Sequence, residues 1–397
     1  MSDFTDQENW AMGMMFGLAI GDAMGAPIEF QPSREPDNYI RSYLTGGAHN
    51  VSKGEFTDDT SMALAIADAI IAKGTYDPQA IMINFLKWKN EGAYSPRGVM
   101  FDCGNTVYSA LAAYEADDSN PYTGKTDPMS AGNGGLMRLA PAVIGAGCFS
   151  EAIHWAKEST RLTHGADEAL LYSKLLAEEL WLRKPLEKNS GYKHPITISR
   201  NDVMSGGYVK ETYQAAWWAF QTTTNFEDCI IEAINRGHDS DTTGAVAGMI
   251  AGAIYGYEAI PNWMIEGIQW RDELTYKTSK LLQVANEQTP REELREMRKL
   301  LCDISKPEVG RIYNHAGRKC LCIHPLANYG GGSATLWAVE GHSAQLTLYR
   351  EQGGYIKGKC IKILDNPAAI IFDPIDSTKP LMHLALKDIG RYDTNWH

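Results

Sequence analysis

Thr57-Asp58-Asp59-Thr60 and Asp239-Ser240-Asp241-Thr242 each place two carboxylates beside two hydroxyls within four residues. Oxygen donors at that density suit hard divalent cations. With no His or Cys inside either run, Mg²⁺ or Mn²⁺ is favoured over Zn²⁺, while Ca²⁺ is harder to exclude. Brought together in space, the two runs could hold two metals. A lone Asp more often caps a helix or meets solvent, but capping does not need two adjacent acids. Each run also opens a strongly apolar segment, Met62 to Ile71 after the first and Gly244-Ala245-Val246-Ala247-Gly248 after the second. Carboxylates buried together repel one another unless cations neutralise them.

The elements that must carry these runs are helices. Thr60 to Lys73, Pro78 to Asn90, Glu151 to Leu162, Asp167 to Trp181, Val209 to Phe220 and Phe226 to Asn235 space their apolar residues at helical period. Gly74 follows Lys73 as a C-terminal cap would, and Thr289-Pro290-Arg291-Glu292 has the form of a helix start. Gly13, Gly17, Gly21 and Gly25 recur every four residues, as do Gly244, Gly248, Gly252 and Gly256. Such spacing occurs in membrane helix pairs. Here Asp22 inside the first set and the short second set favour closely packed helices in a core. The expectation for residues 1–308 is an all-α domain. From about residue 309 the texture changes to short alternating runs, Lys319 to Ile323, Thr335 to Val339, Gln345 to Tyr349, Lys359 to Leu364 and Ala368 to Phe372. Residues 309–397 are therefore expected to form a small β-rich domain.

The 397 residues suffice for one large domain with a smaller companion, and 44% hydrophobic against 22% charged residues is an ordinary globular balance. A net charge of −12 gives no overall basic footprint for nucleic-acid binding, although a nucleic-acid end remains open as a substrate. Seven scattered cysteines suggest no disulfide framework and favour a reducing cytoplasm. The first residues lack a basic leader region, and no apolar run is expected to be long enough to cross a bilayer. Cys320, Cys322 and His324 share one face of an alternating strand. A buried core strand is the favoured reading over a metal site, because no fourth ligand is evident.

Five motifs in order, Gly21-Asp22-Ala23-Met24-Gly25-Ala26-Pro27-Ile28-Glu29-Phe30, Thr57-Asp58-Asp59-Thr60, Gly132-Asn133-Gly134-Gly135-Leu136-Met137-Arg138, Thr163-His164 and Asp239 to Ala245, resemble the signature of the ADP-ribosylglycohydrolase family, which includes relatives of the dinitrogenase reductase-activating glycohydrolase. The resemblance implies an all-α fold around two Mg²⁺ or Mn²⁺ ions and hydrolysis of the N- or O-glycosidic bond joining ADP-ribose to an acceptor. Position by position it implies metal ligands at Thr57, Asp58, Asp59, Asp239, Asp241 and Thr242. It also implies a mobile glutamate near the scissile bond at Glu29. Phe101-Asp102-Cys103-Gly104-Asn105-Thr106 resembles the segment carrying a further acid, which makes Asp102 the second candidate for proton transfer. Locally, Glu29 could be a solvated loop residue and Asp102 the cap of a helix starting near Thr106.

The glycine-rich turn at 132–135 would expose backbone N–H groups to a phosphate, with Arg138 lending charge. Asn133, Gly134, Gly135, Met137, Arg138 and His164 are assigned to ADP-ribose binding, although His164 also suits a cap or a core. His238 stands where relatives commonly carry a second glycine, and it could alter substrate access. The expected partner is an ADP-ribosylated protein or small molecule. The rival reading is a sequestering or immunity protein that docks a toxin or regulatory partner through residues 309–397. A nucleoside hydrolase would also use an acidic metal site, but it leaves the turn at Gly132 to Arg138 unexplained.

Overall fold

A computed structural model of the chain describes residues 4–184 and 198–288, together with the backbone of seven strand segments between 312 and 385. The chain divides into two units, Met1–Thr289 and Pro290–His397. The expected boundary lay near residue 308. The described part of the first unit is helical, with isolated β-bridges only.

Its centre is a pair of helices. Helix α1 (Asp6–Gly25) starts with a capping box in which Thr5 and Glu8 bond reciprocally, and from Trp10 onward every residue is buried. It packs against α10 (Ser240–Tyr255). A Cβ built on Gly13 would lie 2.2 Å from Gly252 O, one on Gly17 2.0 Å from Gly248 O, and one on Gly21 2.0 Å from Gly244 O. The residue numbers rise on one helix as they fall on the other, so the pair is antiparallel. The glycine spacing is thus a core helix seam, as its embedded Asp22 suggested. One expectation is corrected. Residues Asp6–Ile28 are long and apolar enough to cross a membrane by length and composition, yet this segment is wholly buried within the fold.

Around this pair stand α2 (Asp58–Lys73), α3 (Pro78–Glu91), α4 (Asn105–Ala116), α5 (Ala140–Ile144), α6 (Phe149–Arg161), α7 (Asp167–Leu182), α8 (Val209–Thr222), α9 (Phe226–Ile234), α11 (Asn262–Gly267) and α12 (Arg271–Gln288). The six segments with helical periodicity coincide with α2, α3, α6, α7, α8 and α9 to within a few residues at their ends. Gly74 ends α2 in the left-handed conformation expected of a C-terminal cap, at φ +67. The helix start expected at 289–292 lies outside the described residues. In the second unit the described strand backbones, Ile312–His315 through Met382–Ala385, pair antiparallel in chain order. The side chains there, Cys320, Cys322 and His324 included, lie outside the description.

Candidate active site

The antiparallel seam fixes where the acids meet. It brings the C-terminal end of α1 against the N-terminal end of α10, so close that a Cβ on Gly25 would sit 2.4 Å from Ser240 O and 2.5 Å from Asp241 Cα. The N-terminus of α2 is tied to the same place by Asp22. Asp22 Oδ1 accepts from Thr57 N at 2.9 Å and Thr57 Oγ1 at 2.9 Å, and Oδ2 accepts from Thr60 N at 3.0 Å and Thr60 Oγ1 at 2.6 Å. Thr242 Oγ1 then donates to Asp59 Oδ1 at 3.2 Å, joining α10 to α2 directly. Two helix N-termini thus converge, and their positive dipole ends favour carboxylates there. Asp22 is a site-building residue that the sequence reading quoted within a motif but did not assign. Its signal was an acid in the middle of an otherwise apolar helix.

First-turn amides of α2 and α10 are met by Asp22, which accepts from Thr60 N, and by Asp241, whose Oδ1 accepts from Thr242 N at 2.9 Å, rather than by the N-cap side chains. Thr57 and Asp239 occupy the N-cap positions of α2 and α10 without a side-chain capping bond, and α4 is capped at Gly104, which removes capping as the role of Asp102. Asp59 Oδ2 is buried and has no hydrogen-bond partner, as is Asp102 Oδ2. Burial pushes Asp58, Asp59 and Asp241 well above the carboxylate range, and neighbouring carboxylates add to it. Asp22 is pushed up to about 6 by burial, against the pull of its threonine hydrogen bonds. A buried set of oxygen donors with an unpartnered atom fits divalent cations, which reverse this repulsion.

Glu29 lies in the same pocket, 7% exposed, so the solvated-loop alternative does not hold. Its segment is fixed by two backbone bonds, Phe30 N to His238 O and His238 N to Gln31 O, both 2.7 Å. One carboxylate oxygen of Glu29 lies within 4.8 Å of oxygens of Asp239 and Asp241, and those two lie equally near each other. Burial raises Glu29 to about 9, with Asp102, Asp239 and Asp22 adding to the effect. Burial likewise raises Asp102, and His49 opposes it. His49 went unremarked in the sequence. Its Nε2 is 3.0 Å from Glu29 Oε2 and 3.3 Å from Asp102 Oδ1. The side chain of His238 is exposed; its backbone does the linking.

The glycine turn divides into a face toward the site and a face toward the core. Asn133 Nδ2 donates to Asp239 Oδ2 at 2.9 Å and to Thr212 Oγ1 at 2.8 Å. Gly134 leaves room for His164, whose Cε1 would lie 2.5 Å from an added Cβ, and Gly135 leaves room for Thr160. His164 is buried, bonds Thr163 Oγ1 through Nδ1 at 2.8 Å, and is held neutral by burial, which takes it down to about 3. Met137 is buried as well.

Arg138 requires a correction. It is fully buried, donates to Thr163 Oγ1 at 2.6 Å and Ser159 O at 3.2 Å, and lies over the Phe85 ring. Its guanidinium is therefore engaged in the core and does not itself contact the cleft. Nor does the turn enter a helix directly, since α5 begins at Ala140 and has five residues.

The ADP-ribosylglycohydrolase family model matches residues 4–291. This chain belongs to the ADP-ribosylglycohydrolase family. The match ends two residues beyond the end of the first unit at Thr289. An ADP-ribosylarginine hydrolase of Pseudomonas putida is 35% identical over 286 residues, spanning 66% of this chain and 75% of the relative. The ADP-ribosyl-[dinitrogen reductase] glycohydrolase of Rhodospirillum rubrum is 32% identical over 66% of this chain and 91% of its own. A solved structure described as an ADP-ribosylglycohydrolase-related protein complex superposes with a TM-score of 0.61 at 32% identity, covering 71% of this chain and all of that one. As a member, the chain is a hydrolase acting on glycosidic bonds of ADP-ribose.

Proposed function

We propose that this ADP-ribosylglycohydrolase releases ADP-ribose from modified arginine side chains, using two Mg²⁺ or Mn²⁺ ions. The observation that carries the cation reading is the meeting of the two acid runs: Thr242 Oγ1 bonds Asp59 Oδ1, carboxylate oxygens of Asp239, Asp241 and Glu29 lie within 4.8 Å of one another, and the buried Asp59 Oδ2 is unpartnered. Identities of 35% and 33% to two ADP-ribosylarginine hydrolases support the arginine linkage.

Thr57, Asp58, Asp59, Asp239, Asp241 and Thr242 would hold the cations, which supply Lewis-acid polarisation and an acidified water when bound. Asn133 orients Asp239, and Asp22 orients Thr57. Glu29 lies within 4.8 Å of Asp239 and Asp241 on one side and of His49 and Asp102 on the other, so it is placed to pass a proton between water and the leaving nitrogen. Backbone N–H groups at Gly134 and Gly135, rather than Arg138, would meet the pyrophosphate. A cytoplasmic site of action is part of the same proposal, supported by the scattered cysteines. A docking role for residues 309–397 falls on side chains outside the described residues.

The test is a panel of ADP-ribosyl substrates with defined arginine, serine and O-acetyl linkages, assayed with Mg²⁺ or Mn²⁺. Preferential release from arginine is expected. Preference for serine or O-acetyl-ADP-ribose would overturn the arginine assignment.

A further inference from the structure

His49 stands at the tip of a tight reversal. Gly46 and Val51 exchange two backbone hydrogen bonds of 2.8 Å, and Asn50 N bonds Gly47 O at 3.1 Å. Gly47, at φ +74, lets this reversal sit directly on Pro27, because a Cβ there would be 2.5 Å from Pro27 O. Pro27 is two residues before Glu29. The reversal is thereby docked beside the glutamate, and His49 Nε2 falls between Glu29 Oε2 and Asp102 Oδ1.

A second anchor comes from Arg97. Its Nη1 donates to His49 O at 2.8 Å, while Nε and Nη2 grip Glu55 Oε1 and Oε2 at 2.7 and 3.0 Å. The same guanidinium lies 3.9 Å from the centre of the Phe101 ring, the residue before Asp102. One bidentate arginine thus ties the His49 reversal to the Asp102 segment. Asp102 itself holds φ +52, a conformation that persists only where the surroundings impose it. Phe30 and Phe101 flank the imidazole at 6.0 and 6.2 Å between ring centres.

We infer that His49 is a positioning residue of the reaction: its Nε2 couples Glu29 and Asp102 into one proton-handling pair, and Arg97 holds it there. The inference rests on the hydrolytic reading above. Without His49, two neighbouring carboxyl groups lose the imidazole nitrogen that bonds Glu29 and lies within 3.3 Å of both, and Glu29 is free to turn from the scissile bond.

Wild type, His49→Ala and His49→Gln are compared on whichever linkage the wild type cleaves, and His49→Ala is repeated in a Glu29→Gln background. Expected for His49→Ala is a fall in kcat of about 10- to 100-fold with KM changed less than about threefold. His49→Gln, whose amide can still donate to one carboxylate, should recover part of it. In the Glu29→Gln background the His49 substitution should add little, because the two act as a unit. If His49→Ala does not fold, His49→Asn, too short to reach Glu29, replaces it. Unchanged kcat, a rise in KM alone, or a full additive loss beside Glu29→Gln would overturn the inference. A wild type that cleaves no linkage would overturn the hydrolytic reading itself, and this inference with it.

Discussion

Gly17→Ala should destabilise the first unit, although helix propensity alone argues the reverse. Replacing a mid-helix glycine by alanine gains about 1 kcal/mol in an unobstructed helix. At position 17 the new Cβ would lie 2.0 Å from Gly248 O, whereas ordinary contact begins at 3.4 Å. The helices must therefore separate locally by about 1.4 Å, the difference between those two distances. The obstructing atom is backbone and cannot rotate away. Overpacking costs roughly 1–3 kcal/mol, and an obstruction by backbone belongs at the upper end, so the expected net loss is about 2 kcal/mol once propensity is subtracted. Separating α1 from α10 also displaces Asp22 from Asp241, so divalent-cation affinity should fall in parallel. Urea unfolding followed by helical circular dichroism gives the first quantity, and calorimetric Mn²⁺ titration the second. A Gly17→Ala protein as stable as wild type, binding Mn²⁺ equally well, would refute the argument that this seam positions the site.

Asp22→Ala leaves the Thr57 and Thr60 amides and hydroxyls without their buried acceptor. It should cost at least about 3 kcal/mol in thermal unfolding and abolish cation binding; retention of both would contradict the organising role of Asp22. Arg138→Lys should lower stability by about 1–3 kcal/mol while leaving KM within about twofold, because the side chain faces Thr163 and Ser159 rather than the cleft. A rise in KM of about tenfold at unchanged stability would restore a phosphate role. Burial raises Asp22 from 3.8 to about 6 and Glu29 from 4.5 to about 9. Folded values above unfolded ones mean stability present at low pH and lost as pH rises through them. In chelator the melting temperature should fall between about pH 4 and pH 9, and Mg²⁺ should oppose that fall.

The helices were legible because burying one face imposes a 3.6-residue period, and the glycine rows were legible because close backbone approach tolerates nothing larger. The paired acids were legible for a chemical reason, since adjacent carboxylates opening apolar segments have few other uses. His49 was not, because its partners Glu29 and Asp102 lie far from it in sequence and only the reversal on Pro27 brings them together. Asp22 marked its helix as a core helix, but its bonds to Thr57 and Thr60 reach 35 and 38 residues along the chain, which no local pattern reports. Arg138 misled because a basic residue after a glycine turn has the same local pattern whether it faces the cleft or, as here, stacks on Phe85 in the core. Spacing along the chain does not say which way a turn's side chains point.

The central claim is that the two acid runs form one cation site that cleaves ADP-ribose linkages. The direct measurement is ADP-ribose release from an ADP-ribosylarginine peptide by wild type and Asp59→Ala, each with Mg²⁺ or Mn²⁺ and in chelator. Turnover only by wild type with cation, with Asp59→Ala folded and inert, is the predicted result. Full turnover in chelator, or by Asp59→Ala, would contradict it.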